Sequence, residues 1–325
     1  MPIVHKETIV PEMEIKQPNV ITEARFDFTQ VQLDVYFYLL ALFKDTHADD
    51  VSYEIPVQDM TRLTGREWNY QYLKEATRDL LLKIVEFHDE EGHFNQSAMI
   101  SSAKYLKGQG KVRLSVSPVI RPVLAQLKRE YTSFQLYCAL AMTSKYAKRI
   151  YMVCSRWKNN IKTGGIAYSK PYTLDELKYM LELKDPKGKR PEQLTRWYDF
   201  KLNVLDTAVA QINKYTDIKI SYNSERVGRK IGVIQFRVEK GNQHQLLIDF
   251  SDDGVDTTRF DLKNRLVAIY GLSEKQATEV ARRIDNEAIK ELLVRVDEAK
   301  KLGKIKGAVG GYTVSSIQNE WGILK

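Results

Sequence analysis

The stretch 195–240, TRWYDFKLNVLDTAVAQINKYTDIKISYNSERVGRKIGVIQFRVEK, constrains the fold most, because its hydrophobic period changes partway along. Phe200, Val204, Ala208 and Ile212 recur every four residues, with Leu205 and Val209 beside them, so one face of a helix can sink into a core. The opposite stripe, Arg196, Asp199, Asn203, Thr207, Ala210 and Lys214, points away from that core. After Thr216 the period drops to two: Ile218, Ile220 and Tyr222 alternate with polar residues, and Val233, Ile234, Phe236 and Val238 mark a return strand. Arg226, Gly228, Arg229 and Lys230 lie between the strands. A helix backed by a hairpin with a cationic tip is the outline of a winged helix, in which the helix enters a DNA major groove and the wing tracks phosphates. A surface helix followed by a solvated turn gives the same local pattern, so the rest of the chain must decide.

Charge distribution decides in part. The net charge is +8, yet residues 1–91 hold 9 basic and 18 acidic side chains, whereas residues 92–174 hold 14 basic residues and a single acid, Glu130. Cations so crowded repel one another unless an anion screens them, which points to a polyanionic partner. Phospholipid is the rival polyanion, but the helices lack an exposed apolar face flanked by lysines, so no membrane association is expected. There is no apolar run of about 18 residues and no leader-like N-terminus, so a cytoplasmic protein is expected. Cys138 and Cys154, the only cysteines, sit in apolar helical patterns and read as buried thiols in a reducing compartment.

Taken in order, residues 1–18 show no period and read as an extended arm. Residues 28–43 read as an apolar helix with Thr29 as N-cap, 57–64 as a short helix and 70–83 as a third. A strand over 84–88 follows, then a hairpin of 99–107 and 112–117 whose turn is ringed by Lys104, Lys107, Lys111 and Arg113, and a short helix over 118–129. The second half repeats this order: a long helix over 134–157 containing Lys145, Lys148 and Arg149, a short helix over 172–183 with a Thr173/Glu176 capping box, a basic loop at 186–191, then the helix and hairpin above. The expected fold is therefore α+β and mostly helical, with two tandem winged-helix domains bearing β-hairpin wings and a small helical C-terminal appendage. The divisions fall at 1–25 for the arm, 26–130 and 131–250 for the winged helices, and 251–325 for the appendage. Helices centred on Leu262 to Tyr270, after Ser273, and on Ile289 to Val296 are expected to build that appendage.

Several stretches resemble the replication initiator proteins of theta-replicating, iteron-carrying bacterial plasmids: MISSAKYLKGQGKVRLSVSPVIRPVLAQLK, SKYAKRIYMVCSRW, YTLDELKYMLEL and YDFKLNVLDTAVAQINKYTDIKISY. The resemblance, spanning about 26–250, implies two winged-helix domains, recognition of double-stranded DNA at direct repeats of a plasmid origin, and autorepression by a homodimer in equilibrium with monomer; an operator with an inverted repeat would suit such a two-fold dimer, and the C-terminal appendage is expected to dock on the body or on a host replication protein. One departure stands out: the family commonly carries basic residues where Leu202 and Asn203 stand here. Read from chemistry alone, Asn203 can pair with adenine, Leu202 or Thr207 can touch thymine methyls, and Asp199 can accept from cytosine or orient Arg196. Lys201, Arg226, Arg229 and Lys230 are candidate phosphate contacts, as are the mid-chain cations Lys104, Lys107, Lys111, Arg113, Lys145, Lys148 and Arg149.

An enzyme needs a site, and none is apparent. The histidines include no His-x-His pair, so the ligand set of a metal-dependent nickase is missing, and Gly188-Lys189 and Gly303-Lys304 lack the flanking residues of a phosphate-binding loop. No catalytic residue, metal or cofactor is expected. The alternative to an initiator is a pure winged-helix transcriptional repressor, and tandem repeats beside the gene would distinguish the two.

Overall fold

The computed structural model describes residues 7–241 except 8, 11, 65, 69, 90, 128–130, 162–164 and 186, the backbone of residues 4 and 5, and residues 262–324 except 263–265, 268, 269, 303, 304 and 306. Its contacts group into two units, residues 1–248 and 249–325. The expected boundary at 250/251 lies outside the described residues.

In the first unit the arm is not free. β1 (Val4–His5) and β2 (Glu14–Pro18) are strands, and α1 (Asn19–Thr22) follows directly. Ile9, Ile15 and Ile21 are buried, and the Arg62 guanidinium donates to the Ile9 carbonyl at 2.8 Å. The extended arm is thus packed into the unit, β2 pairing antiparallel with residues 131–135; a five-residue strand ending at a proline is too short to display a period.

α2 (Gln30–Leu42) is buried on nearly every side, as a helix apolar all round must be, and starts at a Thr29–Gln32 capping box. β3 (Ser52–Pro56), α3 (Val57–Thr64), α4 (Tyr70–Leu82) and the hairpin β4 (Ile84–His88)–β5 (Phe94–Ala98) come next. β6 (Ile100–Leu106) and β7 (Lys111–Val116) form the first wing, and the sheet order is β1-β3-β7-β6. Gly108 and Gly110 take positive φ at the wing tip, and the Gly110 carbonyl accepts from Val57 N–H at 2.8 Å, anchoring α3 to the wing. α5 (Arg121–Ala125) is shorter than the 118–129 reading.

β8 (Tyr131–Gln135) pairs antiparallel with β2, so the segment read as the start of a long helix is a strand. The rest of that helix is split into α6 (Leu136–Ala141) and α7 (Lys145–Ser155). The cause is Ser144, whose hydroxyl accepts from Ala147 N–H and caps α7, with Met142 extended before it. β9 (Ile166–Tyr168), β10 (Tyr172–Thr173) and α8 (Leu174–Met180) follow, the last opened by the Thr173–Glu176 capping box. α9 (Trp197–Phe200), a π-helical turn (Lys201–Asp206) and α10 (Thr207–Tyr215) are one continuous rod, packed on β11 (Ile218–Val227) and β12 (Lys230–Lys240). The second sheet runs β10-β12-β11, with β9 added to β12. Helices followed by a paired wing occur twice, which makes the unit two winged helices in tandem. Phe134 packs between α2 and α7, its ring meeting Phe37 and Tyr151 edge-on.

The second unit holds α11 (Glu274–Arg283), α12 (Asn286–Lys301) and α13 (Val309–Trp321) around Leu266, Tyr270, Val280, Ile289, Leu293 and Ile317. Gly310 explains itself here: a Cβ at that position would sit 2.8 Å from the carbonyl oxygen of Gly271, so the backbone of α13 crosses the 270–272 turn where no side chain fits. Among the described residues no helix is long and apolar enough to cross a membrane.

Candidate nucleic-acid interface

The rod of α9, the π turn and α10 shows how its spacing of four is used. A regular helix advances 3.6 residues per turn, so apolar side chains four apart drift steadily around it. The wider turn over Lys201–Asp206 lowers that drift, and Phe200, Val204, Leu205, Ala208 and Ile212 all stay buried. Three fixtures hold the rod. Gln211 accepts the N–H groups of Thr143 and Ser144, each at 3.0 Å, and donates to the Thr143 hydroxyl, tying α10 to the start of α7. Asn213 exchanges two hydrogen bonds with the backbone of Ile220, at 2.9 and 2.6 Å, tying it to β11. Buried Lys178 donates to Glu192 at 2.6 Å and to the Leu194 carbonyl at 3.0 Å, fixing the loop that leads into α9.

On the outer face, most polar groups are engaged within the rod. Arg196 Nε lies 2.7 Å from Asp199 Oδ2, Asn203 Nδ2 donates to the Asp199 carbonyl at 2.8 Å, and the Thr207 hydroxyl donates to the Leu202 carbonyl at 2.9 Å. Lys201 pairs with Asp206 at 2.6 Å, and Asp206 also accepts from Tyr222 OH on β11 at 2.7 Å. Partial burial would raise the Asp206 carboxyl, but these two donors bring it below its ordinary value, while the Lys201 ammonium is held above its own by Asp206. Arg196 and Asn203 are exposed, Thr207 and Lys201 half-buried.

The wing behaves differently. Val227 and Lys230 pair across a two-residue turn with Gly228 at φ +66°, and Arg226, Arg229 and Lys230 are exposed with no acidic partner among the described residues. In the first wing Lys104 and Lys107 are likewise exposed, but Arg113 reaches Glu54 at 2.6 Å and Lys111 lies 3.8 Å from it. Two of those four cations therefore share one carboxylate, which offsets a single charge.

Lys148 and Arg149 must be withdrawn as DNA contacts, because both are buried. Lys148 Nζ sits 2.7 Å from Asp34 Oδ1, whose other oxygen takes Arg66, and burial pushes the Lys148 ammonium down to about 8. Arg149 donates to the Ala24 carbonyl at 2.6 Å and stacks over Phe26 at 3.7 Å. In a split helix these residues face inward, and their charge ties α7 to α2 and to the 24–26 segment. Lys145 is half-exposed and held by Asp27 at 2.7 Å.

No local pattern in the sequence marks the seam that these residues complete. Three alternate residues hold it: Glu23 accepts from Tyr172 at 2.8 Å and pairs with Arg156 and Lys170, Arg25 bridges Glu86 at 2.5 Å and Glu182 at 2.8 Å, and Asp27 takes Lys145. Burial would raise the Glu23 carboxyl, yet the Tyr172 and Lys170 hydrogen bonds hold it below its usual range. The contact expected near 128–132 lies outside the described residues for 128–130, and Thr132 is buried, bonded to Thr22 and Asn19. Also missed were Lys187 and Lys189, exposed in a turn in which Asp185 accepts three backbone N–H groups, and Tyr198, exposed on α9. The basic run 186–190 was the available signal for the first two.

Two family models match the chain in the order of its halves: residues 14–155 match "Initiator Replication protein, WH1" and residues 173–238 match "Initiator Rep protein, WH2". Among solved structures, one whose title is "Crystal structure of Pi initiator protein in complex with iteron DNA" superposes with a TM-score of 0.62 at 21% identity, over 72% of this chain and 100% of that one.

Proposed function

The chain belongs to the initiator replication protein family, and on that premise we propose that it binds duplex DNA at direct repeats of a plasmid origin, in the bacterial cytoplasm, and represses its own gene as a dimer on an inverted repeat. The observation that carries this reading is the pairing of a rigidly mounted helix with a wing whose Arg226, Arg229 and Lys230 are exposed and without an acidic partner among the described residues. Lone surface cations are ordinary, but three at the tip of a hairpin beside a helix suit a groove with phosphates along its rim. Lys104 and Lys107 on the first wing supply a second phosphate contact, and Arg196 and Asn203 read bases once their internal bonds are exchanged for base edges. The fold similarity to an initiator whose title places it on iteron DNA supports this placement.

Direct repeats present every site in one orientation and suit monomers side by side, whereas an inverted repeat suits a two-fold dimer. A chain that does both repacks the contact between its halves, and the charged strip 23–27 is the place for that change. The acidic, apolar-rich helices of the first half, poor ligands for DNA, are the surface left for the partner copy. Sedimentation of the full chain, alone and on duplexes carrying direct or inverted copies of its site, tests both parts. One chain per direct repeat and a dimer on the inverted repeat are expected. A fixed stoichiometry with no dimer at any concentration removes the switch, and failure to bind either duplex removes the DNA-binding reading.

A further inference from the structure

Tyr198 and Leu202 are four residues apart on the rod, 69% and 49% exposed, while Arg196, Asn203, Thr207 and Lys201 around them are tied to partners within the rod. An exposed aromatic ring and an exposed leucine one turn apart are costly on a solvated helix face, since each leaves apolar surface in water. The π turn contributes to the arrangement: it begins at Lys201, so Leu202 and Asn203 stand out on its wide side while Val204 and Leu205 remain buried. Thr207, which also carries a methyl on this face, is half-buried with its hydroxyl bonded back to the Leu202 carbonyl.

We propose that Tyr198 and Leu202 form an apolar step that selects thymine in the recognised site by packing against its 5-methyl group in the major groove. The inference rests on the reading of this rod as the DNA-reading helix and names its specificity. Only thymine offers a methyl group in the major groove, so an apolar pair there distinguishes thymine from cytosine without a hydrogen bond. Continuity supports the occupant: the same element leads into β11 and the exposed cations of the wing, which set the phosphate backbone beside it. A chain with basic residues at 202 and 203 would instead read guanine, so this pair gives the protein a different site from one built on arginine or lysine.

The test begins by finding the site. The full chain selects duplexes from a randomised pool, and each thymine of the selected duplex is then replaced in turn by deoxyuridine, which deletes only the methyl group. Fluorescence anisotropy should show one or two positions at which the wild-type chain loses about fourfold in affinity per methyl, the worth of roughly 0.8 kcal/mol for a buried carbon. Those positions should become indifferent to uracil in Leu202→Ala or Tyr198→Ala, both substitutions at exposed sites that leave the core untouched. A selected duplex indifferent to uracil throughout, or a uracil effect unchanged in both variants, overturns the inference while leaving DNA binding intact. A chain that enriches no duplex overturns the DNA-binding reading itself, and the inference with it.

Discussion

Replacing Lys148 by methionine separates a structural cation from a DNA contact. Methionine keeps the volume and apolar stem but removes the ammonium 2.7 Å from Asp34 Oδ1, where neither side chain is exposed. Orphaning one member of a buried pair costs about 3–5 kcal/mol. Arg66 remains on Asp34, as does the Gln30 amide at 3.1 Å, which puts the loss at the lower end, and the Ala139 carbonyl also forfeits its donor, so about 3–4 kcal/mol is expected. Against a total stability of about 5–15 kcal/mol this is a large fraction, and urea titration of the full chain will read it as a lower midpoint at unchanged slope. The double variant Asp34→Leu, Lys148→Met should recover most of the loss, because Arg66 can turn to solvent. The pH dependence has a definite sign. The folded state releases the Lys148 proton near pH 8, whereas unfolded lysine keeps it to about 10.4, so in that window the unfolded chain binds more protons and wild type gains stability over the variant as pH rises. A Lys148→Met chain as stable as wild type but weaker on DNA would refute the reasoning and return Lys148 to the interface.

Asn203→Ala should relax preference at one base position at a cost of about 1–3 kcal/mol on the specific duplex, read by competition against single-base variants, with no change on random DNA. Gly310→Ala should destabilise the C-terminal unit by about 1–3 kcal/mol, because the new methyl meets the Gly271 carbonyl at 2.8 Å; proteolysis should then cut residues 262–324 sooner in the variant than in wild type. Cys138 and Cys154 should react slowly with a thiol reagent in the folded chain and promptly in urea, since burial raises both thiols, Cys138 to about 12.

What could be read from the sequence follows from how local each signal is. The rod and second wing were legible because a core face at spacing four and a strand at spacing two are both set by near neighbours, and Phe200, Val204, Ile218 and Phe236 are buried as that pattern requires. Thr29 and Thr173 announced their helices because a cap needs only three residues. The 134–157 segment failed for the opposite reason. Its apolar stripe runs through a strand, a helix, a break and a second helix; the Ser144 cap was a local sign of the break, but the strand is revealed only by its distant partner Glu14–Pro18. Lys148 and Arg149 failed with it: counted as charge they look like a basic patch, and nothing within a few residues says that Asp34 and Ala24 await them. The departure at Leu202 and Asn203 was visible, but its meaning needed the exposure of Tyr198 and the internal bonding of the polar residues around it.

The central claim, that the rod and wing grip duplex DNA, is tested most directly by affinity as a function of salt for wild type and for Arg226→Ala, Arg229→Ala, Lys230→Ala together. Each phosphate contact releases counterions and contributes about 0.9 to the slope of log affinity against log salt. The three exposed cations should therefore make the wild-type slope steeper than the variant's by about 2–3, on selected and random duplex alike, with the same base preferences retained in both chains. A flat wild-type plot, or a slope that the triple variant leaves unchanged, would contradict the placement of this wing on phosphates.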